Sequence, residues 1–298
     1  MITTLGTYPI TTERLKDLDT DRCDGQDRCA RTSRFQCIHK IHYTTRMVDY
    51  VIAVRTYKRA ELFQRATLRV LREQGLVDRL YVFVGSDISE YLTLEPDLRY
   101  VAAPVGGQHA IRAICDHFPR GTPIVFLDDD LEEWFWFDVS ANTFHHDRLH
   151  EHLTEGFTHA PFTFKSLTNR HWMKSLPPFR PSYGTMAGCF FGAYNEPELI
   201  TTATAHMDDL VRTVQYFKIG KSPWAWQHAG FKTRYAKNPG GLQASGDRTD
   251  THAICLSVYD SVKDWVKADP KQHKCGPWHL ELISAAAIKK KVALGSTS

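Results

Sequence analysis

The stretch Pro123-Ile124-Val125-Phe126-Leu127-Asp128-Asp129-Asp130 decides how the rest of the chain is read. Its apolar, β-branched and aromatic run follows Gly121-Thr122, a breaker, and has the pattern of a strand buried on both faces of a parallel sheet. In open α/β sheets ligands bind at the carboxyl ends of such strands. Three carboxylates crowded there repel one another unless a cation joins them. In an extended chain Asp128 and Asp130 leave on the same side. The two are therefore expected to share one hard divalent ion, Mn or Mg, through oxygen ligands, with a metal-bound diphosphate as guest. The plainer alternative has the acids open a turn or cap a helix-like stretch over residues 131–136; it suits one aspartate better than three.

Working outward, strands and helices alternate. Residues 50–54 read as a strand, and 59–74 as a helix with Leu62, Phe63, Ala66, Val70 and Leu71 at helical spacing. Residues 79–84 and 98–102 read as further strands. The first of these stops at Gly85-Ser86-Asp87, and Gly106-Gly107 open a helix to about His117 that leads into the Asp-tipped strand. Such alternation predicts a parallel sheet with right-handed crossovers. Beyond the aspartates the rhythm changes. Residues 157–181 are dense in Phe, Pro and Lys without a clean period and read as an acceptor-side insertion. A strand is expected over 185–194, a helix over 197–205, and another over 207–219 closed by Gly220. Lys289, Lys290 and Lys291 read as a frayed helix end. Residues 1–47 lack periodicity and read as an irregular basic arm with one short helix over 12–18.

The chain has 298 residues, 42% hydrophobic and 24% charged, enough for a large core. No apolar run approaches the ~20 residues that span a bilayer. The start Met1-Ile2-Thr3-Thr4 lacks a basic-then-apolar leader pattern, so a cytoplasmic location is expected. Seven cysteines form an odd, scattered set that argues for reduced thiols. Cys23, Cys29 and Cys37, with His39 and His42 close behind, have the residue types of a zinc site but not the spacing of a tight knuckle, so zinc there stays open against a solvated arm. The net charge is +3, with Arg22, Arg28, Arg31, Arg34, Lys40 and Arg46 ahead of the first strand. Such a run suits a phosphate-rich partner or a solvated arm.

The order of these parts resembles the GT-A glycosyltransferases, through three stretches: residues 50–59 as the first strand and its nucleotide-contacting turn, Asp128-Asp129-Asp130 as the Asp-x-Asp motif, and Asp208-Asp209 followed by Gly220 as a later acidic motif. Asp208-Asp209 stands where the family carries Glu-Asp. Within that superfamily the chain resembles the TET/JBP-associated glycosyltransferases of bacteriophages, similar to the base J glucosyltransferase, through the three aspartates and Asn238-Pro239-Gly240-Gly241. The resemblance implies an α/β fold of GT-A type, a Rossmann-like, mostly parallel sheet flanked by helices. It would occupy residues 48–298, with a donor half over about 48–130, an acceptor half over about 131–260 and a helical tail over 261–298.

It further implies a metal-dependent, inverting enzyme that moves a sugar from a UDP-sugar, UDP-glucose or UDP-N-acetylglucosamine, to the hydroxyl of 5-hydroxymethylcytosine in DNA. Asp128 and Asp130 would hold Mn or Mg, with His252 as a third ligand. Arg55, Thr56, Asp87 and Asp129 would line the nucleotide and sugar, and the glycine-rich stretch with Gly240, Gly241 and Arg248 would close on the diphosphate. Asp209 would take the acceptor proton, with Asp208 in reserve or capping the helix. A base in duplex DNA would have to be flipped out, and Trp134, Trp136, Trp172, Trp224 and Trp226 offer stacking faces, or simply core. A protein or glycan acceptor, and a non-catalytic nucleic-acid-binding protein on the same scaffold, are the competing readings. No membrane partner is expected.

Overall fold

A computed structural model of the chain describes residues 48–166, 177–204, 207–233, 258–269 and 279–295. The chain divides into Met1–Thr44 and Thr45–Ser298, and all described residues belong to the second unit. The expectations placed on the basic arm, Cys23, Cys29, Cys37, His39, Trp172, Gly240, Gly241, Arg248 and His252 fall outside the described residues.

The first half follows the alternation read from the chain. Strand β1 (Val51–Thr56) leads to helix α1 (Ala60–Phe63), a π-helical turn (Gln64–Leu68) and helix α2 (Arg69–Glu73). Then come β2 (Leu80–Val84), α3 (Ile88–Leu94), β3 (Arg99–Ala102), α4 (Gly107–His117) and β4 (Pro123–Asp128). These four strands pair in parallel in the order β3-β2-β1-β4, with Arg55 directly opposite Asp128 across β1 and β4. Ile124, Val125, Phe126 and Leu127 are all buried, as a strand covered on both faces requires. Ile52, Val54, Val125 and Leu127 face α1, α2, α3 and α5 (Leu149–Phe157); Ala53, Ile124 and Phe126 face α4, α6 (Pro197–Ile200) and α7 (Asp208–Lys218).

The second half departs from the sequence reading in informative ways. Residues 131–136, taken as helix-like in the capping alternative, form strand β5 (Leu131–Asp138), hairpinned to β6 (Thr143–His145). Consecutive Trp134, Phe135, Trp136 and Phe137 favour a pleated, half-buried surface over a helix. The stretch 157–181 contributes β7 (Phe162–Ser166) and β8 (Phe179–Pro181). Of the strand expected over 185–194 only β9 (Phe190–Tyr194) forms, and α6 stops at Ile200 where Thr201 is extended. The Thr-rich sequence that follows loses side-chain freedom in a helix. Strand β10 (Trp224–Thr233) was not anticipated as an element; it pairs with β5, β7 and β8.

The whole sheet has ten strands, of which β5, β8 and β9 run against the rest, so it is mixed and mostly parallel. The segment read as a helical tail carries an antiparallel pair, β11 (Val266–Asp269) and β12 (His279–Leu282), as well as helix α8 (Ala285–Gly295). Among the described residues no helix is long and apolar enough to cross a membrane.

Two glycines have a structural reason. Gly220, at φ +73°, turns the chain after α7 in a conformation that side-chain-bearing residues avoid. Gly192 in β9 lets Phe162 cross its face: a Cβ there would lie 2.2 Å from the ring.

Candidate active site

The three aspartates do not continue the strand. Asp128 ends β4, while Asp129 and Asp130 form the turn into β5. Strand alternation is therefore not what brings Asp128 and Asp130 together, as the sequence suggested. The turn does so: both line a narrow cleft with Leu127, Leu131, Cys189, Phe231 and Thr233.

The turn is held from below by groups that sequence reasoning passed over. Thr67, fully buried, donates its hydroxyl to the Asp128 carbonyl (2.8 Å) and accepts from the Leu131 amide (2.9 Å). It sits in the π-helical turn, whose extra residue locally shifts the helix face. Asp129 points inward. Its carboxylate accepts from Thr56 Oγ1 (2.7 Å) and from Arg59 (3.2 Å), and is only 5% exposed. Tyr91 completes a chain, its hydroxyl bonded to Thr56 Oγ1 (2.9 Å) and accepting from the Arg59 amide (3.1 Å). Burial raises the Asp129 carboxyl to about 6, against the pull of Arg59 and Thr56. Asp129 therefore occupies a structural position beneath the turn, not one turned toward sugar hydroxyls.

Arg55 and Thr56 were both expected beside a nucleotide, but successive residues of a strand leave on opposite faces. Thr56 faces Asp129; Arg55 faces the acids. Its Nε donates to Asp128 Oδ1 at 2.6 Å and its Nη2 to the Gly188 carbonyl at 3.0 Å. The arginine side chain is 19% exposed and that of Asp128 32%. Burial opposes the charged arginine, yet Asp128 and Asp208 together raise its proton affinity. Asp128 is raised by burial, with Arg55 opposing and Asp130 and Asp208 adding to the rise. Asp87 is exposed and caps α3, its carboxylate accepting from the Ser89 amide (2.9 Å) and hydroxyl (2.7 Å).

The second acid pair comes from the opposite side. Asp208 and Asp209 open α7, where helix amides favour negative charge. Asp208 accepts from Arg212 at 2.6 Å, and Arg212 is fully buried: its Nε donates to the Ile200 carbonyl (3.0 Å) and its guanidinium lies 4.6 Å from the Phe191 ring. Burial pushes Asp208 up, but Arg212 and Arg55 outweigh it and hold the carboxyl below its ordinary value. Asp209 goes the other way, raised by burial and by the charge of Asp208. Its Oδ1 accepts from the Leu210 amide (2.8 Å).

The loop before β9 joins the two acid sets. Thr213 Oγ1 donates to the Asp209 carbonyl (2.6 Å) and accepts from the Met186 amide (2.9 Å). Ala187 donates to Thr163 (3.0 Å), and the Asp128 amide to the Cys189 carbonyl (3.0 Å). Gly188 passes so close that a Cβ there would lie 3.3 Å from that of Asp209.

Among the described residues the tryptophans do not gather here. Trp134 and Trp226 are core residues. Trp224 starts β10, which runs parallel to β4, and so lies at the far end of the sheet from the acids. Trp136 donates its indole to Asp147 (2.9 Å).

The donor chemistry at Asp128 and Asp130, two carboxylates at one cleft, suits a hard divalent cation. One oxygen of Asp128 is already engaged by Arg55, and among the described residues no three His, Cys, Asp or Glu side chains converge as a ready metal cage.

Fold and site together define an α/β domain that presents acids at the carboxyl end of a central strand and a second, electrostatically split acid pair at a facing helix start. No family model and no curated protein matches the chain. Solved structures align with it at low identity. GalNAc-T7, solved with UDP, GalNAc and Mn2+, aligns at 10% identity and a TM-score of 0.43, over 74% of this chain and 49% of its own, so the chain spans about half that protein's length. The mannosyltransferase PcManGT from Pyrobaculum calidifontis, in complex with GDP-Man and Mn2+, aligns at 14% and 0.46, over 83% of this chain and 73% of its own. S. aureus TarS aligns at 11% and 0.39, over 61% and 36%.

Proposed function

We propose that the chain is a glycosyltransferase that moves a sugar from a UDP-sugar to a hydroxyl, with 5-hydroxymethylcytosine in DNA as acceptor and the cytoplasm as its place of action. One observation carries the enzymatic reading: two acid sets far apart in sequence meet across Arg55 and Gly188, and within the second set the two carboxyls differ in proton affinity. Transfer needs an anion-neutralising end for the leaving diphosphate and a base for the acceptor, and such a split pair supports the raised acid as that base. The DNA acceptor is supported by the sequence resemblance in Asp128-Asp129-Asp130 and Asn238-Pro239-Gly240-Gly241.

Asp209, raised by burial and by its neighbour, is the base that accepts the proton of the attacking hydroxyl. Asp208 stays ionised against Arg212 and holds Asp209 in its raised state. A divalent Mn or Mg ion held by Asp128 and Asp130 would supply Lewis-acid neutralisation of the departing diphosphate. Arg55 and Thr67 keep the aspartate turn and the Gly188 loop in register, which positions acceptor and donor ends against each other.

The test is to incubate the protein with Mn2+, a panel of UDP-sugars, and DNA with or without 5-hydroxymethylcytosine, and to weigh the digested nucleosides. A hexose or N-acetylhexosamine adduct confined to hydroxymethylated DNA is the expected result. UDP release without any adduct would move the acceptor to a protein or glycan; absence of both would end the enzymatic reading. Asp209→Asn is expected to lower turnover by roughly 10²- to 10⁴-fold while UDP binding, measured by calorimetry, is retained.

A further inference from the structure

We infer that Arg55 is the resident counter-cation of the acid cluster and competes with a divalent cation for Asp128, so that the Arg55 guanidinium weakens metal binding here. The inference rests on the sugar-transfer reading for the presence of a metal, and it is read out by metal binding, not by transfer.

The pairing is built into the sheet. Arg55 and Asp128 are direct partners in the parallel register of β1 and β4, so backbone hydrogen bonds fix their separation before any side chain moves. The Nε to Oδ1 distance of 2.6 Å is that of a charge-assisted bond, and Nη2 is anchored at 3.0 Å on the Gly188 carbonyl. With 19% of the arginine and 32% of the aspartate side chain exposed, the pair is screened far less than a surface ion pair. Asp208 also acts on the same guanidinium, so Arg55 balances charge from both acid sets at once.

A divalent ion on Asp128 would bring two cations to one carboxylate. If Arg55 stayed, the two would repel at short range; if it left, its bonds to Asp128 and Gly188 would be lost. Either route weakens metal binding relative to a site without the arginine charge. The second route also frees the Gly188 loop that lies against Asp209, so metal occupancy and the seating of Asp209 are linked, and linkage is reciprocal. Loss of a hydrogen bond to a charged group changes affinity by about 10- to 100-fold.

The experiment titrates Mn2+ alone, read by the electron paramagnetic resonance of free Mn2+, into the full chain and its Arg55→Gln, Arg55→Lys and Asp128→Asn variants, with circular dichroism melts to establish folding. Arg55→Gln is expected to bind about 10- to 100-fold more tightly than the natural chain. Arg55→Lys, which keeps a charge but cannot make both bonds, should fall between, and Asp128→Asn should bind least. In the unmutated protein, Mg2+ titration should shift and deprotect the Arg55 Nε–H resonance in nitrogen-15 spectra, which keeps the test open if Arg55→Gln fails to fold. Unchanged or weaker Mn2+ affinity in a folded Arg55→Gln, or an Arg55 Nε–H signal indifferent to saturating Mg2+, would overturn the inference. Either result would leave sugar transfer, scored by the nucleoside masses, to stand or fall separately.

Discussion

Asp208 and Asp209 are adjacent in the chain and opposite in proton affinity. The cause lies in what each side chain meets: Asp208 has Arg212 and Arg55, while Asp209 has burial and the charge of Asp208. If Asp209 is the base, turnover falls as pH drops through its raised value, since only the carboxylate accepts a proton. Removing the Asp208 charge lowers the Asp209 value, so Asp208→Asn is expected to move the acid limb of the kcat profile to lower pH; an unmoved limb would separate the two residues. Asp129 gives a second pH effect, on stability. Its folded value of about 6 stands above the ordinary 3.8, so its favourable contribution is complete below 3.8 and is lost as pH rises through 6. Melting temperatures of the natural chain should therefore decline across that window relative to Asp129→Asn, by an amount on the order of 2–3 kcal/mol in stability.

At the scale of elements, the site depends on joints between strands and helices more than on any one of them. The π-helical turn brings Thr67 under the aspartate turn, and Thr213 in α7 is bonded both to Asp209 and to the loop before β9. Strand β9 lies beside β4 and is crossed by Phe162 at Gly192. Gly192→Ala is thus expected to destabilise by about 1–3 kcal/mol or more through overpacking, measured by urea unfolding. Phe162→Leu in the same chain should recover part of that loss, seen as a coupling in a double-mutant cycle. Additive effects would show that the contact is not the cause.

For the molecule as a whole, the segment after residue 258 closes the apolar side of α7. Val258, Val262, Trp265, Leu280, Ile288 and Val292 pack with Leu210, Val211, Val214 and Phe217 on the helix that carries the acid pair. Ile288 is fully buried, and Ile288→Ala is expected to cost about 2–5 kcal/mol in calorimetric or urea measurements. Were the C-terminal segment a frayed appendage, the loss would be near zero.

Much of the parallel half was legible in the chain itself: the apolar runs of β1, β2 and β4, the helical spacing of Leu62, Phe63, Ala66, Val70 and Leu71, and Gly220 after α7 all declare themselves through local periodicity and backbone preference. The acids of both motifs were equally visible, because carboxylates at a strand end and at a helix start are local patterns. The mixed half was not. Strands β5 and β10 exist because their aromatic faces pair with each other across a long separation in sequence, and short apolar runs do not announce such pairing. The sequence by itself determined which residues can carry charge and which segments must be buried. The tertiary structure alone decided that Arg55 faces Asp128 while Thr56 turns to Asp129, that Arg212 lies buried beside Asp208, and that Gly188 runs against Asp209. Those choices depend on strand register and on the cost of leaving a buried charge unpaired, and both are properties of segments that meet only when the chain is folded.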